Sequence, residues 1–161
     1  MLRRAVRPRP ACAGWRIGYP EMKGLNRMTD QYKGIVRRFI DETDRDGSPP
    51  RHLVTGDFAA HFPGLPNLTF DEYRSMTESA YEALEGLRHN LHEMIAEGER
   101  VVYRSTNVGR HVGEIAGVAG TGNEVSITSL AEFRFEDDRI AEVWVEMDIL
   151  SLTRQTDAAR G

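Results

Sequence analysis

Apolar residues recur at helical spacing early in the chain and at strand spacing later, and that switch sets the expected architecture. Tyr32, Ile35, Val36, Phe39 and Ile40 fall at i, i+3, i+4, i+7 and i+8, the stripe of an amphipathic helix. The spacing predicts a helix to about Asp44, stopped by the Gly-Ser-Pro-Pro turn that follows. The next stretch, HLVTGDFAAHFPGLPN, is broken by Gly56, Pro63, Gly64 and Pro66, so it reads as loop with at most one short strand. Thr69 opens a second helix, because its hydroxyl can cap the first turn while Glu72 reaches back. Tyr73, Met76, Ala80, Ala83, Leu84 and Leu87 continue one face until Gly86 weakens the helix end.

After that point every element reads as strand. Leu91 to Ala96, Val101 to Val112, Val125 to Phe135 and Ile140 to Ile149 alternate or are β-branched, and EGE, GVAGTGN and EDDR supply the turns between them. Two or three helices followed by hairpin-connected strands imply an α+β domain whose curved antiparallel sheet folds over the helices as a half-open cone. The inside of such a cone is the natural place for a ligand. There is no internal repeat and no low-complexity run.

A chain of 161 residues with 40% hydrophobic content suits one domain with a real core. The apolar runs are too short to span a membrane. The net charge of -4 hides an asymmetry: residues 1–28 hold seven basic residues against Glu21 alone, which leaves the remainder at -10. An acidic body makes a poor nucleic-acid binder, since that task needs a basic face to replace phosphate counterions. Residues 1–28 are expected to be a disordered basic leader or an overlong start, with Met28 as the alternative first residue; 29–157 form the domain and 158–161 a tail. The single cysteine, Cys12, fits a reducing compartment and a cytoplasmic protein.

Near the end, EVWVEMD places Glu142, Trp144, Glu146 and Asp148 on one face of a strand and Val143, Val145 and Met147 on the other. The acidic face is either ordinary wet surface or the wall of a pocket. Residues taken alone favour wet surface, because acids on a solvent face need no function.

Three stretches then carry a likeness. AEGERVVYRSTNVGRHVGEIAG (96–117), GTGNEVSITSLAEFRFEDDRIAEVW (120–144) and WVEMDILSLTRQ (144–155) resemble segments of the SnoaL-like polyketide cyclases, a family with the nuclear-transport-factor-2-like, or cystatin-like, cone fold. The resemblance covers roughly Asp30 to Gln155. It implies an intramolecular aldol ring closure on a hydrophobic, polyketide-like carbonyl compound, with no metal or organic cofactor and an aspartate of the last strand as acid/base. By motif position that residue is Asp148, with Glu146 in reserve. Burial would move such a carboxylate toward the working pH, and Trp144 would supply desolvation and a flat packing surface. His111, in GRHVG, matches the family's strand-end histidine; it or Arg104 would stabilise the enolate oxygen. His61 is a candidate contact at the rim of the cone. The resemblance also implies a homodimer through the open sheet face.

Two features depart from the cyclase pattern. Val143 stands where many members have histidine before the tryptophan, and Asp137-Asp138-Arg139 replaces the usual Asp-Gly turn. Related epoxide hydrolases use an Asp, Arg, Asp relay, but Thr106 stands at the strand aspartate, which disfavours water addition. His89 and His92 would share a side only on a helix, and no Cys or acid has ligand spacing with them, so no metal site is expected. Nucleophile-elbow and phosphate-loop motifs are absent. A non-catalytic binding or assembly module of the same fold is the rival from another class. An enzyme of the expected kind requires Asp148 inside a closed apolar cavity.

Overall fold

The structure, a computed structural model, describes residues 22–115 and 117–157. Helix α1 (Met22–Asp46) leads, followed by a short 3-10 turn, Arg51–Leu53, strand β1 (Val54–His61) and the two-residue β2 (Leu68–Thr69). Helix α2 (Phe70–Ala83) comes next, and then β3 (Leu84–Glu97), β4 (Arg100–His111), β5 (Glu124–Glu136), β6 (Arg139–Met147) and helix α3 (Ile149–Asp157). The six strands form one sheet in the order β2-β1-β6-β5-β4-β3. All neighbours run antiparallel except β1 and β6, which are parallel. The expected α+β domain is therefore present, with a mixed rather than wholly antiparallel sheet.

Alternation decides which face of the sheet is covered. Along β5, Val125, Ile127, Ser129, Ala131, Phe133 and Phe135 are buried while their neighbours are not. The stripe predicted on α1 lies on that face: Tyr32 stacks on Phe135 at 4.3 Å between ring centroids, and Phe39 meets Phe133 edge-on at 5.9 Å. Tyr103 of β4 adds a further stacked contact to Phe133 at 5.7 Å. An isolated helix is marginal in water, so the burial of Val36 and Phe39 here is what holds α1. The core falls into two clusters. One joins α1, β1 and the inward residues of β4 to β6 around Phe133; the other joins Leu84, Leu87, Val125 and Ile127 under Leu152 of α3.

Several boundaries differ from the pattern-based reading, each for a physical reason. The first helix begins at Met22, ahead of the Tyr32 stripe and inside the expected leader; residues 1–21 and 158–161 of the expected leader and tail lie outside the described residues. The stretch expected as loop holds the eight-residue β1, whose register with β6 shifts between Val54 and Ala59. That irregularity hides its alternation. Helix α2 starts as expected, with the full capping box of Thr69 and Glu72, but stops at Ala83. Leu84 and Leu87 belong to β3, because Gly86 at φ +68 lies at a bulge between Glu85 and Arg88. The last strand stops at Met147, and α3 follows.

The turn between β5 and β6 places Asp137 and Asp138 at φ +46 and +61, the left-handed geometry of a two-residue hairpin, in which glycine is favoured. Asp138→Gly should therefore raise stability by about 0.5 kcal/mol, and Gly86→Ala should lower it by about 1 kcal/mol. A Cβ at Gly86 would meet nothing within 4 Å, so the second effect comes from backbone alone. Equilibrium denaturation of the two variants checks both signs.

Candidate active site

The face that carries Val143 is the inward one. Val143 is 1% exposed in the core around Phe133, so Glu142, Trp144 and Glu146 point to the outside of the sheet. Partners await Glu142 and Trp144 there. Glu142 accepts from Arg134 Nε at 2.7 Å and lies 2.8 Å from His61 Nε2. Burial pushes its carboxyl up, but the bonds from Arg134 and His61 outweigh that and leave it below the ordinary carboxylate range. Trp144 stacks on His61 at 4.6 Å, and the Arg100 guanidinium lies 5.3 Å from the tryptophan ring. His61 is thus part of β1 and of this outer cluster rather than a rim contact. Arg104 also faces outward, where its Nε is 3.1 Å from Glu93.

Asp148 is exposed just beyond β6, with its Oδ1 accepting the Ser151 backbone N–H at 2.9 Å at the start of α3. Its backbone N–H donates to the Thr128 carbonyl at 3.0 Å. A helix-capping carboxylate open to water differs from the closed apolar cavity expected around Asp148: within this chain both Asp148 and Glu146 are exposed.

His111 does face inward and is fully buried, as strand parity required. Its Nδ1 is 3.3 Å from the Thr121 hydroxyl, and its Nε2 has no partner among the described residues. It lies apart from the other inward polar groups. A Cβ at Gly109, between His111 and Asn107 on that face, would meet Leu84 at 3.2 Å and Leu87 at 3.3 Å, so the bulged start of β3 leans over this point.

The ionisable pair on the concave side comes from elsewhere. Asp44 near the end of α1 receives three hydrogen bonds: Tyr81 Oη of α2 donates to Oδ1 at 2.5 Å, the His89 backbone N–H donates to Oδ2 at 2.8 Å, and His89 Nδ1 lies 2.7 Å from Oδ1. Burial pushes Asp44 up, but the bonds from His89 and Tyr81 more than offset it and hold the carboxyl below its ordinary value. An ionised Asp44 obliges Nδ1 to carry a proton, which leaves Nε2 of the neutral ring as an acceptor. The side chains of His89 and Asp44 are 16% and 21% exposed, so the pair is largely shielded yet still reachable. His92, three positions on, faces the opposite way and bonds Thr106 at 2.7 Å. The two histidines therefore share no site, and no group of three metal-ligating side chains occurs among the described residues.

Beside this pair the concave floor turns polar. Asn107 is the cross-strand partner of His89, and with Ser105 and Ser129 it makes a buried polar patch on β4 and β5. Aromatic rings approach from two sides. Tyr73 of α2 packs against Phe62 and Phe58, while Tyr103 rises from β4. Burial pushes the Tyr73 hydroxyl up to about 12 and the Tyr103 and Tyr81 hydroxyls higher still, so all three stay neutral donors. Asp44, Tyr81, Ser105, Asn107 and Ser129 were not singled out from the sequence. The signal that could have found the last three is the break in an otherwise apolar inward series on two adjacent strands.

Residues 34–156 match the family model for SnoaL-like polyketide cyclases. No curated protein sequence matches the chain. Among solved structures, the chain is similar to AclR of Streptomyces galilaeus, with TM-score 0.74 and 23% identity over 81% of this chain and 98% of that one. A SnoaL-like polyketide cyclase from Jannaschia sp. CCS1 aligns with TM-score 0.73 and 19% identity over 88% and 99% of the two chains. TsrD of Streptomyces laurentii aligns with TM-score 0.70 and 28% identity over 80% and 96%. No described helix is long and apolar enough to cross a membrane.

Because the folded carboxyl of Asp44 is depressed, its stabilising effect is complete above the unfolded value near pH 4 and is lost as pH falls through the lower folded value. Asp44→Asn should therefore be less stable than wild type at neutral pH, and the gap should narrow on acidification toward pH about 2.5. Thermal melts across that range measure the gap; a constant difference would contradict an ionised Asp44.

Proposed function

The chain belongs to the SnoaL-like polyketide cyclase family, and we propose that it is a cofactor-independent enzyme that moves a proton beside a carbonyl group of a hydrophobic, polyketide-like small molecule held on the concave face of its sheet. The observation that carries this reading is the His89–Asp44 pair, oriented by three hydrogen bonds next to a polar floor and aromatic walls.

His89 is the general base. Its Nε2 takes the proton from the carbon next to the carbonyl, and the imidazolium so formed is stabilised by the Asp44 carboxylate bonded to Nδ1. Asp44 thus fixes the tautomer as well as the charge. In a ring closure the resulting carbanion attacks a second carbonyl of the same substrate, a carbon–carbon bond forms, and the proton held on Nε2 returns to the new alkoxide. Protons balance within one turnover, so the chemistry needs no redox partner. Tyr73, Phe62 and Tyr103 supply the flat surfaces against which a conjugated substrate would lie.

The outer face has a different part in this reading. It mixes exposed Leu130 and Ile95 with Arg104, Glu93 and the Trp144 cluster, an array of both charges and apolar surface suited to a second copy of the chain. Trp144, His61 and Arg104 then serve assembly, in a cytoplasmic homodimer. Light scattering should show wild type at dimer mass and Leu130→Arg shifted toward monomer.

For the chemistry, exchange of the acidic protons of benzoylacetone with heavy water, followed by nuclear magnetic resonance, is a direct readout. Wild type should accelerate the exchange, His89→Gln should lose about 10²- to 10⁴-fold, and Asp148→Asn should match wild type. Full exchange by His89→Gln would sink the base assignment, and a protein that binds the diketone without exchanging it would favour a non-catalytic ligand holder.

A further inference from the structure

Three side chains on the concave floor close a ring of hydrogen bonds. The Ser105 hydroxyl donates to Asn107 Oδ1 at 2.7 Å, Ser129 and Ser105 Oγ lie 2.8 Å apart, and Asn107 Nδ2 donates to Ser129 Oγ at 3.3 Å. With its proton on Asn107, Ser105 Oγ accepts from Ser129, so every hydroxyl proton is placed. The ring uses the amide oxygen and one of the two amide N–H groups. Turning the amide over reverses the direction of the ring but again leaves one N–H without a bond. That N–H has no partner among the described residues, although Asn107 is only 7% exposed and Ser105 and Ser129 are 0% and 5% exposed. Buried donors in folded proteins are nearly always bonded.

Its position is informative. Asn107 and His89 are direct cross-strand partners on the same face, where side chains of neighbouring strands stand about 5 Å apart at Cβ. No inward position of β4, β5 or β6 is lysine or arginine. The amide beside the base is thus a neutral donor whose orientation two serines fix in advance.

We propose that Asn107 is the oxyanion donor of this site: its free amide N–H binds the carbonyl oxygen of a neutral substrate, and Ser105 and Ser129 position it. The proposal rests on the reading of His89 as base. As the C–H bond breaks, its proton goes to His89 Nε2 and its electron pair moves into an enolate whose negative oxygen accepts from Asn107; reprotonation or attack on a second carbonyl returns the charge. A preorganised donor of this kind acts mainly on the charged state rather than on the neutral substrate. The ligand class follows: uncharged planar ketones or esters able to form enolates, with phenolates as stable mimics.

The test measures binding of para-nitrophenolate and of naphthalene, a flat aromatic with no oxygen, to wild type, Asn107→Leu and Ser129→Ala. Asn107→Leu should weaken phenolate binding about ten- to a hundredfold and change naphthalene binding by less than about twofold. Ser129→Ala, the milder variant that stands in where Asn107→Leu fails to fold, should lose several-fold on phenolate alone. Equal loss on both probes, or no loss on phenolate, overturns the proposal. The base reading is scored separately by proton exchange in His89→Gln: intact phenolate selectivity loss at Asn107 with full exchange in His89→Gln refutes the base, and lost exchange in His89→Gln with no selectivity loss at Asn107 refutes the donor.

Discussion

Packing of α1 on the inward phenylalanines of β5 decides the rest of the molecule. Once Tyr32 lies on Phe135 and Phe39 meets Phe133, those positions of β5 are the core, and a strand's period of two leaves its neighbours no choice. Register carries the decision across the sheet: Phe133 opposes Val143, so Val143 is inside and Trp144 is outside. The same step puts Arg104 outside and Ser105 inside on β4.

An interior fixed by apolar packing would be expected to be apolar throughout, yet a polar row crosses it between the two hydrophobic clusters. Asp44, Tyr81 and His89 bind one another at the end of α1, and Ser105, Asn107 and Ser129 do so on the floor. Buried polar groups are tolerated when bonded, and these are nearly saturated. What is left over is an acceptor on His89 and a donor on Asn107, side by side. That pairing is a chemical asymmetry which structural satisfaction alone does not require.

The carboxylates of EVWVEMD illustrate how likeness and geometry can part. Position within a family pattern pointed to Asp148, but in this chain that residue caps α3 in open solvent, and the residues that β6 buries are the apolar Ile140, Ala141 and Val143. Of the outer acids, Glu142 is held by Arg134 and His61, and Trp144 is flanked by His61 and Arg100, so these groups are tied to one another on the outside of the sheet.

Periodicity by itself determined much of the fold: the α1 stripe, the Thr69 capping box, the four long strands and the α+β order all follow from local spacing, and the family likeness from local motifs. Gly86 and β1 escaped it because a bulge and a register shift break alternation without changing composition. The site was less legible. Alternation says that Glu142 and Trp144 share a face, but not which face the helices cover; that depends on packing between residues a hundred positions apart in sequence. Nor can spacing show that Asp44 meets His89, since the bond joins a helix end to an edge strand 45 residues away. The chain fixes its elements locally, whereas the choice of inside and the meeting of Asp44 with His89 exist only once distant elements are packed together.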